Sequence, residues 1–255
     1  MTLLAVERIK LLTTRSPWWC AIAGIVLTAG FTALVVGNAG ERFPATVAST
    51  QFGYTFGLAV IMVLATLAVT TEYRFSTIRT TFQAVPNRTN ALLAKTTVVA
   101  MISLILGEII AFTCWGLALL LAPGSDLALN STADWINVAG VGVVFAISAV
   151  IAVAVGILVR HSAGAISLLM IYSLAVEGLV QLIPTIGDDI YAWMPFNVAH
   201  KFLTGNGEAN GDRMVEAGMP LSTSTLSQGA ALVYFAAVAA VLLAVSLVVA
   251  NRRDA

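Results

Sequence analysis

Apolar and polar positions in this chain fall into long blocks rather than short alternations. Six apolar blocks are long enough to cross a bilayer as helices, which takes about 20 residues each. They cover residues 18–37, 52–71, 96–122, 138–159, 162–183 and 229–250. The pattern predicts an all-α integral membrane protein with six transmembrane helices in one domain over residues 1–255. About seventeen residues precede the first block and it runs on through Gly30, Phe31 and Leu34, so it is expected to be a span and not a cleaved signal.

The polar break between the second and third blocks, EYRFSTIRTTFQAVPNRTNALLAK at 72–95, is the most informative segment. It holds four of the thirteen basic residues, Arg74, Arg79, Arg88 and Lys95, and a single acid, Glu72. Phe75, Ile78, Phe82 and Val85 recur at steps of 3, 4 and 3, inside an arc of roughly 80° on a helical wheel. This predicts a short amphipathic helix over 75–85, stopped by Pro86. Such a helix with basic flanks is suited to a protein partner or to lying flat on anionic lipid.

Charge orients the bundle. With both termini cytoplasmic, ten basic residues (Arg8, Lys10, Arg15, Arg74, Arg79, Arg88, Lys95, Arg160, Arg252, Arg253) fall inside and three (Arg42, Lys201, Arg213) outside. The acids Glu41, Asp126, Asp134, Asp188, Asp189, Glu208, Asp212 and Glu216 collect outside. Net charge is zero, which gives no reason to expect nucleic-acid binding. At 59% hydrophobic and 10% charged, the composition leaves no room for a sizeable soluble domain. The longest outer stretch, 184–228, is expected to start as short interfacial helices and continue as a Gly- and Asn-rich surface loop.

Several chemistries have no residues to carry them. No GxxxxGK[ST] phosphate loop occurs, so this chain is not expected to hydrolyse ATP. His161 and His200 are the only histidines, and neither HExxH nor a Cys/His cluster is present. Cys20 and Cys114 read as small apolar filler within spans. Gly53-xxx-Gly57 permits close helix contact at the start of the second span. Two acids lie within spans. Glu108 is near mid-depth in the third, and Glu177 lies toward the outer end of the fifth, with Gln181 one turn on along the same face. Acids at such depth face protein or a watery cavity, so the two could line a path or make structural hydrogen bonds.

The order of motifs resembles that of type-2 ABC export permeases, and actinobacterial members in particular. The residues that carry it are Glu7-x-x-Lys10-Leu11, Arg15-Ser16, Trp18-Trp19, Glu72-Tyr-Arg, Thr77-Ile-Arg-Thr-Thr81, Pro86-x-Arg88, Ala94-Lys95 and Met194-Pro195-x-Asn197. Ser76 departs from the pattern, since the family often has Gly there; a helix accepts Ser better than Gly. The resemblance implies an amphipathic N-terminal helix over residues 2–15, although Lys10 spoils its wheel by falling between Leu3 and Val6. It implies that residues 72–86 are a cytoplasmic coupling helix docking on a separate ABC ATPase, with Glu72, Arg74, Thr77 and Arg79 as polar contacts. Phe75, Ile78, Phe82 and Val85 would form its buried side.

Two ATPase copies, carrying the ATP and Mg, would work with this chain and a second permease copy or paralogue in a bacterial plasma membrane. The chain itself would be no enzyme and hold no cofactor. A path lined by Ala, Val, Leu, Phe and Trp suits a hydrophobic drug, lipid or lipopeptide, with Glu108, Glu177 and Gln181 as its polar points. Two other functions fit the same features: an ion-coupled carrier or membrane-embedded enzyme using Glu108 and Glu177, and an ATPase-linked sensor or immunity subunit that moves no substrate.

Overall fold

The computed structural model describes residues 3–40, 45–85, 87–210 and 220–252. Pro86, Arg42, Arg213, Arg253, three of the expected outer acids (Glu41, Asp212 and Glu216) and the core of the Gly/Asn-rich loop, 211–219, lie outside the described residues. Among the described residues the regular structure is helical throughout.

Helix α1 (Leu3–Thr13) leads into α2 (Ser16–Gly37), whose first turn carries Pro17, where a missing N–H costs nothing. A one-turn α3 (Val47–Thr50) starts on a capping box, in which Thr46 and Ser49 satisfy each other's backbone N–H. Then come α4 (Tyr54–Arg74), α5 (Thr77–Ala84) and α6 (Arg88–Leu121). Asn87 caps α6 by accepting from the Asn90 N–H, and Ser131 with Asp134 boxes the start of α7 (Thr132–Val159). Helix α8 (Ser162–Ile171) runs through a π-helical turn (Tyr172–Val176) into the short α9 (Glu177–Val180). Beyond it lie α10 (Gly187–Tyr191), α11 (Pro195–Thr204), a 3₁₀ turn (Glu208–Asn210) and α12 (Gln228–Arg252).

Six elements are long and apolar enough to cross a membrane: α2, α4, α6, α7, α8–α9 and α12. They match the six expected blocks with shifted ends. The largest shift is in α6, which begins at Arg88 and not at 96, and so runs unbroken for 34 residues. The fifth span stops at Val180, short of 183.

Helix α7 is the centre of the bundle. Of its most apolar 18-residue stretch 67% is buried, against 17% for α8–α9 and for α12, which stand at the rim. Around α7 pack α6, α4, α12, α8 and α11. Close approach needs small residues. A Cβ on Gly107 of α6 would lie 2.7 Å from the Gly142 Cα of α7, and one on Gly57 of α4 would lie 2.8 Å from Thr28 Oγ1 of α2. Thr66 and Thr70 bond back to the carbonyls of Met62 and Thr66 at 2.8 Å, which satisfies hydroxyls where no water reaches.

Candidate functional site

At one end of the bundle the turn after α4 sets the position of α5. Ser76 is in the left-handed conformation, φ 58°, so the chain breaks direction between Phe75 and Thr77. The expected continuous helix over 75–85 is therefore corrected. Phe75 closes α4, 68% exposed, with the Arg74 guanidinium 5.4 Å over its ring, and Val85 is extended at the far end. Only Ile78, buried, and Phe82, half-buried, anchor α5 to the core, and Arg88 lies 5.3 Å over the Phe82 ring. The favourable reading of Ser76 is corrected with it: this position is a left-handed joint, where Gly is free of strain and Ser is not. Arg74, Thr77 and Arg79 are exposed beside Phe75.

Behind α5 lies a quartet of charges that sequence reading placed on separate motifs. The Lys95 ammonium of α6 donates to Glu7 of α1 and, at 2.9 Å, to Glu72 of α4. Lys10 of α1 donates to Glu7 at 2.8 Å, to Glu72 at 3.4 Å and to Thr81 Oγ1 of α5 at 3.2 Å. The side chains of Lys95 and Glu7 are 6% and 7% exposed, and that of Glu72 12%. Burial alone would push the Glu7 carboxyl up, but Lys95, and hydrogen bonds from Lys10 and Lys95, hold it below the usual carboxylate range. Burial would likewise lower Lys10, and its bond to Glu7 and the field of Glu72 raise it instead. Glu72, expected as a partner contact, thus faces into the chain.

Lys10, which spoils an outward-facing wheel, points inward with Glu7, and the exposed Leu4, Ile9 and Leu12 cover the other side of α1. The Trp18 indole donates to the Leu12 carbonyl at 3.0 Å and ties α1 to the start of α2. At the same end Asn251 of α12 donates to Thr89 of α6 at 2.9 Å, and the Arg160 guanidinium lies 5.1 Å over Tyr73.

The acids within spans stand apart from one another. Glu177, 3% exposed, accepts from the backbone N–H of Phe196 and of Asn197, both at 3.0 Å, in the first turn of α11. Asn197 in turn donates to the Tyr191 carbonyl and to Thr223, and accepts from Ser222. Gln181 is exposed, because the helix ends at Val180 and Gln181 becomes its cap. Glu108 lies half-exposed on α6 against Gly142, where any Cβ would collide with its carboxylate, and it has no hydrogen-bond or ion-pair partner among the described residues. Nothing brings Glu108 and Glu177 into one constellation, since the first abuts α7 and the second α11.

Beside Glu177, the His200 ring bridges two elements. Its Nε2 is 2.6 Å from the Pro220 carbonyl, so Nε2 carries the proton and Nδ1 accepts from the Tyr54 hydroxyl at 3.0 Å. Enclosure of the ring pushes its pKa down, outweighing the bond to Pro220. This knot could not be read from the sequence beyond its Met194-Pro195-x-Asn197 motif, in which Pro195 starts α11 and Asn197 ties it down.

Among known protein families, the model described as "ABC-2 family transporter protein" matches residues 3–176, from the start of α1 through the π-helical turn. No curated protein matches the chain.

Proposed function

The chain belongs to the ABC-2 transporter family, and from that premise we propose that it is the membrane-spanning permease subunit of an ATP-driven exporter. In this reading a separate ABC ATPase binds ATP and Mg and docks on α5. Two permeases and two ATPases make the working unit. Closure of the ATPases switches the spans between inward- and outward-open states and moves a hydrophobic or amphipathic molecule out of a bacterial cell. The end with α1 and α5 then faces the cytoplasm, in keeping with the ten-to-three division of basic residues.

One observation carries the reading. Helix α5 is exposed on one side, where Arg74, Phe75, Thr77 and Arg79 gather, and is tied on the other to α1, α4 and α6 through Ile78, Phe82 and the charge quartet. A push on the exposed side is delivered to spans through buried ion pairs, which hold geometry better than exposed ones. Phe75 is the anchor an ATPase groove would take, since interface energy concentrates in a few buried aromatics. Ile78 and Phe82 serve the joint from within.

The test is to purify tagged chain in detergent from the membranes of its own host. The expected result is a co-purifying subunit with a GxxxxGK[ST] phosphate loop and vanadate-sensitive ATP hydrolysis. Phe75→Ala should lower its recovery more than Arg79→Ala, since an anchor carries on the order of 2 kcal/mol and an exposed charge about 0–1 kcal/mol. A chain that purifies without any ATPase, or a recovery blind to Phe75→Ala, would overturn the coupling role of this face.

A further inference from the structure

The Glu108 carboxylate has no hydrogen-bond or ion-pair partner among the described residues, and unlike that of Glu177 it is not enclosed. Glu108 stands thirteen positions from Lys95 and thirteen from Leu121, about 20 Å from each along α6 at ~1.5 Å per residue. That puts it near the middle of a hydrocarbon core about 30 Å thick. On α7, Gly142 makes room for it, since a Cβ there would collide with the carboxylate. The acid therefore lies in the seam between α6 and α7, with its outer side open to whatever stands beside the bundle.

Aromatic surface continues the seam toward the C-terminal end of α6. Phe112 follows Glu108 by one turn of α6, and Trp135 precedes Gly142 by two turns on the same side of α7. The Phe112 and Trp135 ring centroids are 6.4 Å apart. Trp115 stands edge-on to Phe112 at 6.3 Å, with its indole N–H spent on the Leu127 carbonyl at 2.8 Å. Phe112 is half-buried and Trp135 half-exposed, so both keep ring surface free. Seven positions separate Trp135 from Gly142, about 10 Å along α7 at ~1.5 Å per residue. One turn beyond Phe112, a Cβ on Gly116 would meet open space. The face thus offers an acid at one end and aromatic rings at the other.

The charge of Glu108 selects its occupant. Among the described residues every Lys and Arg belongs to one end of the bundle or the other, so a second copy of this chain brings no cation to this depth. Lipid head groups stay at the surface of the hydrocarbon core. An anion is repelled by the carboxylate, and a neutral apolar molecule leaves it uncompensated. A lipophilic cation supplies the missing charge and is itself attracted to ring faces. We propose that the α6–α7 seam is a binding site for a lipophilic aromatic cation, its charge held by Glu108 and its rings by Phe112 and Trp135. The site rests on the permease reading, of which it names the class of cargo, but binding to it requires no ATPase.

The experiment uses the full chain in nanodiscs of zwitterionic lipid, without any partner, and radiolabelled tetraphenylphosphonium, with uptake by empty nanodiscs subtracted. Saturable binding is expected, and tetraphenylborate, of the same shape and opposite charge, should not displace the cation. Glu108→Gln should weaken binding about tenfold or more, and Glu108→Asp, which keeps the charge, should weaken it less. Phe112→Leu and Trp135→Leu should each weaken it severalfold at an unchanged melting temperature. If Glu108→Gln melts early, a lipid-soluble carbodiimide serves on the unaltered chain: it should block binding, and bound phosphonium should protect Glu108 from it. No saturable binding, full binding by folded Glu108→Gln chain, or borate competing as well as unlabelled phosphonium would each overturn the proposal. The last is the result that a merely protonated carboxyl beside aromatic rings would give. Disulfide cross-linking of Ile105→Cys to a second copy, in a chain whose Cys20 and Cys114 are replaced by Ala, would overturn it too, because protein would then cover the face. Loss of ATPase co-purification, by contrast, bears only on the coupling role.

Discussion

The two ends of the bundle each bury carboxylates, and they satisfy them in opposite ways. At the α1–α5 end, Glu7 and Glu72 are met by the ammoniums of Lys10 and Lys95, side chains contributed by three helices and supported by a hydroxyl from a fourth. At the other end Glu177 meets no cation in its hydrogen bonds and takes two backbone N–H groups at the start of α11, where the helix dipole favours negative charge. A quartet of side chains holds only while the helices that supply it keep their places. A carboxylate on a helix terminus is fastened to one rigid element. The first arrangement suits an end that receives force and rearranges, and the second suits an end that stays put.

The largest test of that contrast is Lys95→Met. It leaves two buried carboxylates to one partly exposed lysine, and the expected loss is on the order of 3–5 kcal/mol of unfolding free energy in detergent micelles. A loss below that of the change at the other end would mean the quartet relaxes into water. There, Glu177→Gln keeps one acceptor of two and should cost about 1–3 kcal/mol. Transport per folded molecule should stay unchanged, and altered transport at unaltered stability would put Glu177 on the permeation path. A smaller effect of opposite sign is expected from Ser76→Gly, which relieves the left-handed joint before α5 and should gain roughly 0.5–1 kcal/mol in the same unfolding assay. No gain would show that the turn is not strained by its side chain.

Acid should separate the ends without any change of sequence. His200 is held below its ordinary value, so in the folded chain it stays neutral while the unfolded chain protonates. Its contribution is present above about pH 6.5 and is lost as pH falls from there. Glu7 is also depressed, and its contribution persists down to about pH 4.3 before it is lost as pH falls through the folded value. Lys10 is raised, so its share disappears only as pH rises beyond about 10.4. Hydrogen exchange between pH 6.5 and 4.3 should therefore quicken around α11 before it does around α1, and His200→Gln should flatten that response. Simultaneous loosening of both ends would refute the contrast.

Block length and apolarity made the six spans legible, because a bilayer imposes its thickness on every crossing. The amphipathic character of α5 was legible from Ile78 and Phe82. Phe75 was misassigned because a wheel presumes a continuous helix, and nothing in Ser76 itself announces a positive φ; the Gly often found at that place in the family was the signal. Lys10 looked like a flaw in α1 because a wheel treats each charge as facing water. Its partners Glu72 and Thr81 are 62 and 71 residues away in sequence, where local periodicity carries no information. Gln181 differs from Glu177 in burial for a plainer reason: the helix ends at Val180, and Gln181 is its exposed cap. The tie of Glu177 to α11 arises from packing between distant segments and left no trace in spacing.

The span between Glu7 and Lys95 also sets a schedule for synthesis. The two are 88 residues apart, so a ribosome adding about 5–20 residues per second makes Glu7 roughly 4–18 s before its partner. Two spans, α2 and α4, are translated in that interval while the α1 carboxylate has only Lys10 for company. The nascent chain must keep α1 in water until α6 arrives, and the closing of the quartet is then the event that marks the first half of the bundle as assembled.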